Sequence, residues 1–142
     1  MGLLSWLGGS GSPKVVDLRP AGSFATDVVG ESYCQQQLSR ICGGKVEDGY
    51  QKQVTAVLIP DNENPHDSNA VRVEVDGLKV GHLSRGDAVT FRTKMAKAGH
   101  PNASGRCEAL INGGWDRGGG DAGHFGVKLD LNLRVVASKL VK

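Results

Sequence analysis

The sequence is sparing in the features that would commit it to several common modes of action. It has three cysteines, Cys34, Cys42 and Cys107, in 142 residues. An odd, scattered set with no CxxC spacing excludes a disulfide framework and a zinc ribbon, and it fits a reducing cytoplasm. Long apolar runs are missing too. The opening MGLLSWLGG falls far short of the roughly 20 residues of a membrane span and lacks the charged start of a signal peptide. Trp6 stands where an N-terminal acylation signal needs Ser or Thr, so no membrane partner is expected. Charge of one sign is scarce, with a formal net charge of +2. That is too little to make the whole surface a polyelectrolyte clamp, and any affinity for nucleic acid must come from a local arrangement. There is no GxxxxGK[ST] phosphate loop, and no Ser, Cys or Lys nucleophile lies in a recognisable catalytic motif. Neither a motor, nor an enzyme, nor a cofactor is expected.

What is present is glycine, 21 residues in all, about twice the usual share. The apolar fraction of 39% and the charged fraction of 23% are those of one globular domain. The stretch GGSGSP at 8–13 has the composition of a flexible linker. Residues 1–22 are therefore expected to be a leader, 23–135 the domain and 136–142 a short tail.

Six segments are short, rich in β-branched residues and bounded by turn residues, which predicts strands at 25–30, 53–60, 70–75, 78–83, 106–112 and 125–133. In AVRVEV the valines Val71, Val73 and Val75 share one face, opposite Arg72 and Glu74. Asp76-Gly77 between two such runs predicts a tight hairpin, because a type I′ turn needs positive φ at both central residues. Two helices are predicted. The first covers 33–42, capped by Ser32 and stopped by Gly43-Gly44, with Leu38, Ile41 and Cys42 buried. The second covers 85–98, with Ser84 as cap, Asp87 three residues on, and Ala88, Phe91, Met95 and Ala98 facing the core. The glycine-rich 113–123 reads as a long loop.

The densest stretch is IPDNENPHDSNAVRVEVDGLKVGHLSR, from Ile59 to Arg85. The series Asn64-Pro65-His66-Asp67, Asn69-Ala70-Val71 and Val80-Gly81-His82-Leu83 with Arg85 resembles the central signature of HIRAN domains. The earlier Val28-Val29-Gly30-Glu31-Ser32 is similar to the end of that family's first strand. The resemblance runs from about Asp27 to Leu131. It implies a mainly β fold with two helices, an OB-like six-stranded β-barrel, and a module that grips the 3′ end of single-stranded DNA. Asp67 then falls at the acid that bonds the terminal 3′-hydroxyl, and His66 where the family often has a base-stacking tyrosine. His82 and Arg85 fall at phosphate contacts, Phe125 at an aromatic bordering the pocket, and Asn64 in the same loop. The family's end-binding members carry a basic residue and an aromatic in the first strand, where Thr26 and Asp27 stand here.

Simpler roles exist for the same residues. Asn64 and Asp67 could be turn chemistry, with Asx side chains bonding their own backbone. His82 could be a structural histidine. Arg85, a base in the first turn of a helix, runs against the helix dipole, which favours a phosphate-facing purpose. Asp61, Glu63 and Asp67 put three carboxylates on one loop, but Pro65 breaks the EF-hand spacing, and no metal is expected there. Trp115, with Arg117, could offer a stacking platform for nucleic acid or fold back onto the barrel. The expected partner is single-stranded DNA or a DNA 3′ end. The rivals are a protein-interaction module, using an edge strand or the glycine loop, and a metal-dependent hydrolase.

Overall fold

The computed structural model describes residues 14–134 and 139–142. Most of the expected leader, 1–13, and residues 135–138 lie outside the described set. The chain is mainly β with two helices, a curled, OB-like sheet. Its elements are β1 (Val15–Asp17), β2 (Thr26–Asp27), a 3-10 turn (Glu31–Tyr33), α1 (Gln35–Cys42), β3 (Tyr50–Pro60), β4 (Val71–Val75), β5 (Leu78–His82), α2 (Arg85–Lys97), β6 (Ser104–Gly113) and β7 (Phe125–Leu129). The sheet has seven strands rather than six, in the order β2-β7-β6-β3-β4-β5, with β1 added to β6.

Alternation sets the faces of the sheet. Val71, Val73 and Val75 are buried, with Arg72 and Glu74 between them half-buried on the outer face. The same period buries Ala56 and Leu58 on β3 and Ala109 and Ile111 on β6. Together with Phe91, Met95, Val127 and Leu129 they form one core, and each fully buried large side chain contributes about 1.5–3 kcal/mol. The β4–β5 hairpin turns at Asp76 (φ 53°) and Gly77 (φ 76°), the two positive angles that a type I′ turn requires.

The sheet curls until its two ends meet. Val29, just past β2, exchanges hydrogen bonds with His82 at the end of β5: the Val29 N–H donates to the His82 carbonyl (2.8 Å) and the His82 N–H to the Val29 carbonyl (2.9 Å). At this seam a Cβ on Gly81 would lie 2.5 Å from both Val28 Cγ1 and the Val29 oxygen. Glycine is needed there because the two backbones touch.

α2 begins as the sequence predicts, with Ser84 Oγ accepting from the Asp87 N–H (3.2 Å), and it buries Ala88, Phe91 and Met95. Ala98 lies past the last turn and is exposed. The first helix differs. Residues 31–33 form a 3-10 turn after Gly30 (φ 76°), Cys34 occupies the cap position, and no side chain caps α1. Ser32 is thus inside the turn rather than at the cap.

The expected domain limits also shift. β1 pairs in parallel with β6, from Val15↔Ser104 to Asp17↔Arg106, and Leu18 is buried over Gly105. Leu18 also bridges Val141, and Leu140 is buried. Three apolar residues, Val16, Leu18 and Leu140, are therefore withdrawn from water. The domain takes in residues 15–22 and 139–142, which the linker-based boundary had left out.

Candidate nucleic-acid interface

The 61–70 loop leaves β3 at Pro60 and enters β4 at Val71, and it is held by its own side chains. Asn64 Oδ1 accepts from the backbone N–H groups of His66 (2.9 Å) and Asp67 (3.2 Å), and its amide donates to Asp61 Oδ2 (3.3 Å). Asp67 Oδ1 accepts from the Asn69 N–H (2.9 Å). Asn64 and Asp67 are therefore turn-forming residues, whatever else they do. Such Asx turns fix the loop before any ligand arrives. The Asp67 Oδ2 atom takes no hydrogen bond among the described residues, so the carboxylate keeps an acceptor for an incoming donor. His66 is exposed on this loop. The Arg92 guanidinium of α2 donates to Asn62 Oδ1 and ties the loop to the helix.

His82 lies opposite Arg72 across the β4–β5 pair. Its ring is held below the ordinary value of 6.5, chiefly by burial and next by the Lys79 cation, with Asp61 pulling the other way and Arg72 adding to the fall. Lys79, exposed, and Arg72, paired with Glu74, bear on this strand end as cations and Asp61 as an acid. Arg85 follows at the start of α2, exposed. The loop, His82 and Arg85 thus gather at one end of the β3–β4–β5 sheet.

The seam adds a residue that the sequence did not single out. Tyr33 ends the 3-10 turn four residues past Val29, and it is 90% exposed. Both that turn and α1 pack against β5. The Tyr33 ring is therefore exposed on a turn that packs against the strand carrying His82, and Val29, which pairs with His82, is exposed as well. Placing residue 33 in a regular helix hid this exposed ring. The only sequence signal for it was Gly30, whose positive φ ends the strand early.

Two expected site residues are elsewhere. Phe125 is buried under Tyr50, with ring centroids 5.8 Å apart. Its backbone is clamped by Gln35, which accepts from its N–H (2.8 Å) and donates to its carbonyl (3.0 Å). It is a core residue and no face of it is open to a base. Trp115 lies against Gly123, donates to Asp121 Oδ1 (3.1 Å) and has the Arg117 guanidinium 5.7 Å from its ring. It is folded into its own loop. In the first strand Thr26 is buried and donates to the Leu131 carbonyl (2.7 Å), while Asp27 pairs with Lys128 (3.5 Å). The Asp27 carboxylate is thus countered by a neighbouring cation.

No group of three or more His, Cys, Asp or Glu residues placed to hold a metal occurs among the described residues. Burial raises the thiols of Cys34 and Cys42 and pushes Cys107 up to about 12, helped there by Asp130 and Glu108. These cysteines are held as neutral thiols, the poor nucleophiles of the pair. No helix among the described residues is long and apolar enough to cross a membrane.

The HIRAN domain family model matches residues 21–112, which include the loop, the seam and α2 but neither Trp115 nor Phe125. Among solved structures the chain is similar to the crystal structure of the HIRAN domain of human HLTF, at 18% identity over 73% of this chain and 70% of that one, with a TM-score of 0.38. No curated protein matches the chain.

Proposed function

Because this chain belongs to the HIRAN domain family, whose members are nucleic-acid-binding modules, we propose that it grips the 3′ end of single-stranded DNA at the seam between β5 and residues 29–34, without catalysing a reaction. The observation that carries this is the exposed Tyr33 ring on a turn packed against β5, with the cations Lys79 on that strand and Arg85 just beyond it, both unpaired among the described residues. An aromatic face stacks on any base, and the neighbouring cations attract the backbone. In this arrangement Tyr33, rather than Phe125 or Trp115, is the stacking platform. Arg85 supplies the charged contact to a terminal phosphate, as a fork of N–H donors suited to its oxygens. His82, neutral near pH 7, supplies an N–H donor. Asp67 accepts the terminal hydroxyl proton through Oδ2, with Asn64 holding the loop and His66 bordering it. The three free cysteines suit work in a reducing compartment, and we place it in the cytoplasm.

The test is anisotropy with matched oligonucleotides ending in a 3′-hydroxyl or a 3′-phosphate. A phosphate sets negative charge against the Asp67 carboxylate and removes the donor. Affinity should fall about tenfold or more, on the scale of the roughly 1.5–3 kcal/mol of a charged hydrogen bond. Asp67→Ala should lose most of that preference. Equal binding of the two ends by the native protein would overturn end recognition, and no binding of any strand at low salt would put a protein partner in its place.

A further inference from the structure

We propose that Lys79 is a second phosphate contact, set inward from the strand terminus, so that the seam takes a polynucleotide strand laid along β5 rather than an isolated terminal nucleotide. The proposal rests on the nucleic-acid reading of the seam given above.

The register of the β4–β5 pair places Lys79 directly opposite Glu74. Opposite charges facing each other across an antiparallel pair ordinarily meet. Here they do not. Glu74 Oε2 accepts instead from Arg72 Nε, 2.7 Å away on its own strand. The pairing slips between Val73 and Glu74, leaving Val80 as the extra residue of a bulge on β5. Bulges re-aim side chains and increase local twist. The result is that Arg72 is neutralised while Lys79, exposed on the edge of β5, has no ion pair among the described residues. The nearby acids Glu31 and Asp61 are also engaged, Glu31 Oε2 accepting from the Val127 N–H (3.3 Å) and Asp61 Oδ2 from the Asn64 amide (3.3 Å).

The free ammonium lies where a strand would pass. Lys79 acts electrostatically on both His82 and Cys34, and Cys34 directly follows the exposed Tyr33. The strand of Lys79 packs against the 3-10 turn that ends in Tyr33 and runs on to His82. Because of the bulge, Lys79 and His82 pair with Glu74 and Arg72, two residues apart on β4, which sets them about 7 Å apart along the sheet. A bound strand with a phosphate at His82 or Arg85 would bring a different one to Lys79. Lysine suits that role because a point charge on a flexible stem follows a backbone without demanding one geometry.

The experiment uses the whole chain and a 5′-fluorescein oligothymidylate of about ten residues with a 3′-hydroxyl, a length within the range one OB-type fold covers. A companion set carries one neutral methylphosphonate linkage at each position in turn. Lys79→Ala should weaken binding about three- to tenfold and reduce the salt slope by about 0.7, the value of one single-strand phosphate contact. One internal linkage whose neutralisation weakens the native protein should become silent in Lys79→Ala, and Lys79→Arg should restore it. The side chain is exposed and unpaired, so the denaturation midpoint should not move. Native affinity and slope in Lys79→Ala, with binding still lost in Arg85→Ala, would overturn the second contact and leave the end site standing. A uniform loss with no linkage falling silent would also overturn it, in favour of a diffuse field. No binding of any oligonucleotide by the native protein at low salt would overturn both.

Discussion

Two regions of this domain carry nearly the same chemistry and use it in opposite ways. The glycine-rich loop at 113–123 has an indole, a guanidinium and carboxylates, and it turns them on one another: Trp115 bonds Asp121, Arg117 pairs with Asp121 at 3.5 Å, and the ring lies on Gly123. The seam has a phenol ring, a lysine and an arginine that it leaves facing out, and a half-buried histidine. Tyr33 is 90% exposed, and Lys79 and Arg85 have no ion pair among the described residues. Residue type therefore does not separate a platform from a strut. A side chain whose partners come from its own loop stabilises that loop, and one left unpartnered by the closure of the barrel is available to a ligand.

The comparison breaks most sharply at the closure itself. Gly81→Ala would drive a methyl group into Val28 and the Val29 carbonyl, with no flexible chain end to give way. The cost should be about 1–3 kcal/mol from overpacking, and more if the φ of 153° is also strained for alanine. Urea denaturation should show the lowered midpoint. The glycine loop should keep its native hydrogen-exchange protection under conditions where the Val29 and His82 amides lose theirs. A variant as stable as the native protein would mean that the seam is not closed in solution.

Exchanging the two aromatics for alanine sharpens the contrast. Tyr33→Ala should leave stability within about 0.5 kcal/mol, as for most surface changes, and weaken strand binding by about 1–3 kcal/mol, the usual value of one base stacked on an aromatic. Trp115→Ala should do the reverse, lowering the denaturation midpoint with little effect on affinity. If Trp115→Ala abolished binding while Tyr33→Ala did not, the two regions would have to trade roles.

The smallest effect is in pH. His82 is held below 6.5 by burial and by Lys79, and a bound phosphate would pull it back up by opposing those cations. The complex would then bind more protons than the free protein. Affinity should rise as pH falls from neutral through the bound value and level off below the free one, with a slope of at most one proton. His82→Gln should flatten that rise. Folding responds in the opposite direction: a histidine lowered in the folded state takes up more protons when unfolded, so its contribution to stability is present above the unfolded value near 6.5 and is lost as pH falls from there through the lower folded one.

Local signals in the chain were enough to place several elements. Asp76-Gly77 specified its turn because both residues tolerate positive φ, and Ser84 with Asp87 specified the start of α2 because the cap bond spans only three residues. Alternation fixed which valines of 71–75 are buried. The composition of the 61–70 loop likewise marked Asn64 and Asp67 as residues that bond their own backbone. All of these depend on neighbours a few positions away, so they can be read along the chain.

The remainder depended on partners far apart in sequence. β1 needed Ser104, Gly105 and Arg106, some 89 positions away, and a short apolar run beside a glycine linker gives no hint of them. Phe125 became core because the β3–β6–β7 register sets it beside Tyr50, and Trp115 closed on Asp121 because the loop folds back on itself. Tyr33 was left exposed on the turn that follows the Val29–His82 closure across 53 positions, and Lys79 was left without an ion pair among the described residues where the β4–β5 pairing slips and Glu74 turns to Arg72. Sequence alone thus determined the turns, the caps and the inward faces, which arise from φ preferences and short-range hydrogen bonds. Tertiary structure decided which polar and aromatic side chains stayed unpartnered, because that depends on how a curled sheet brings its two ends together.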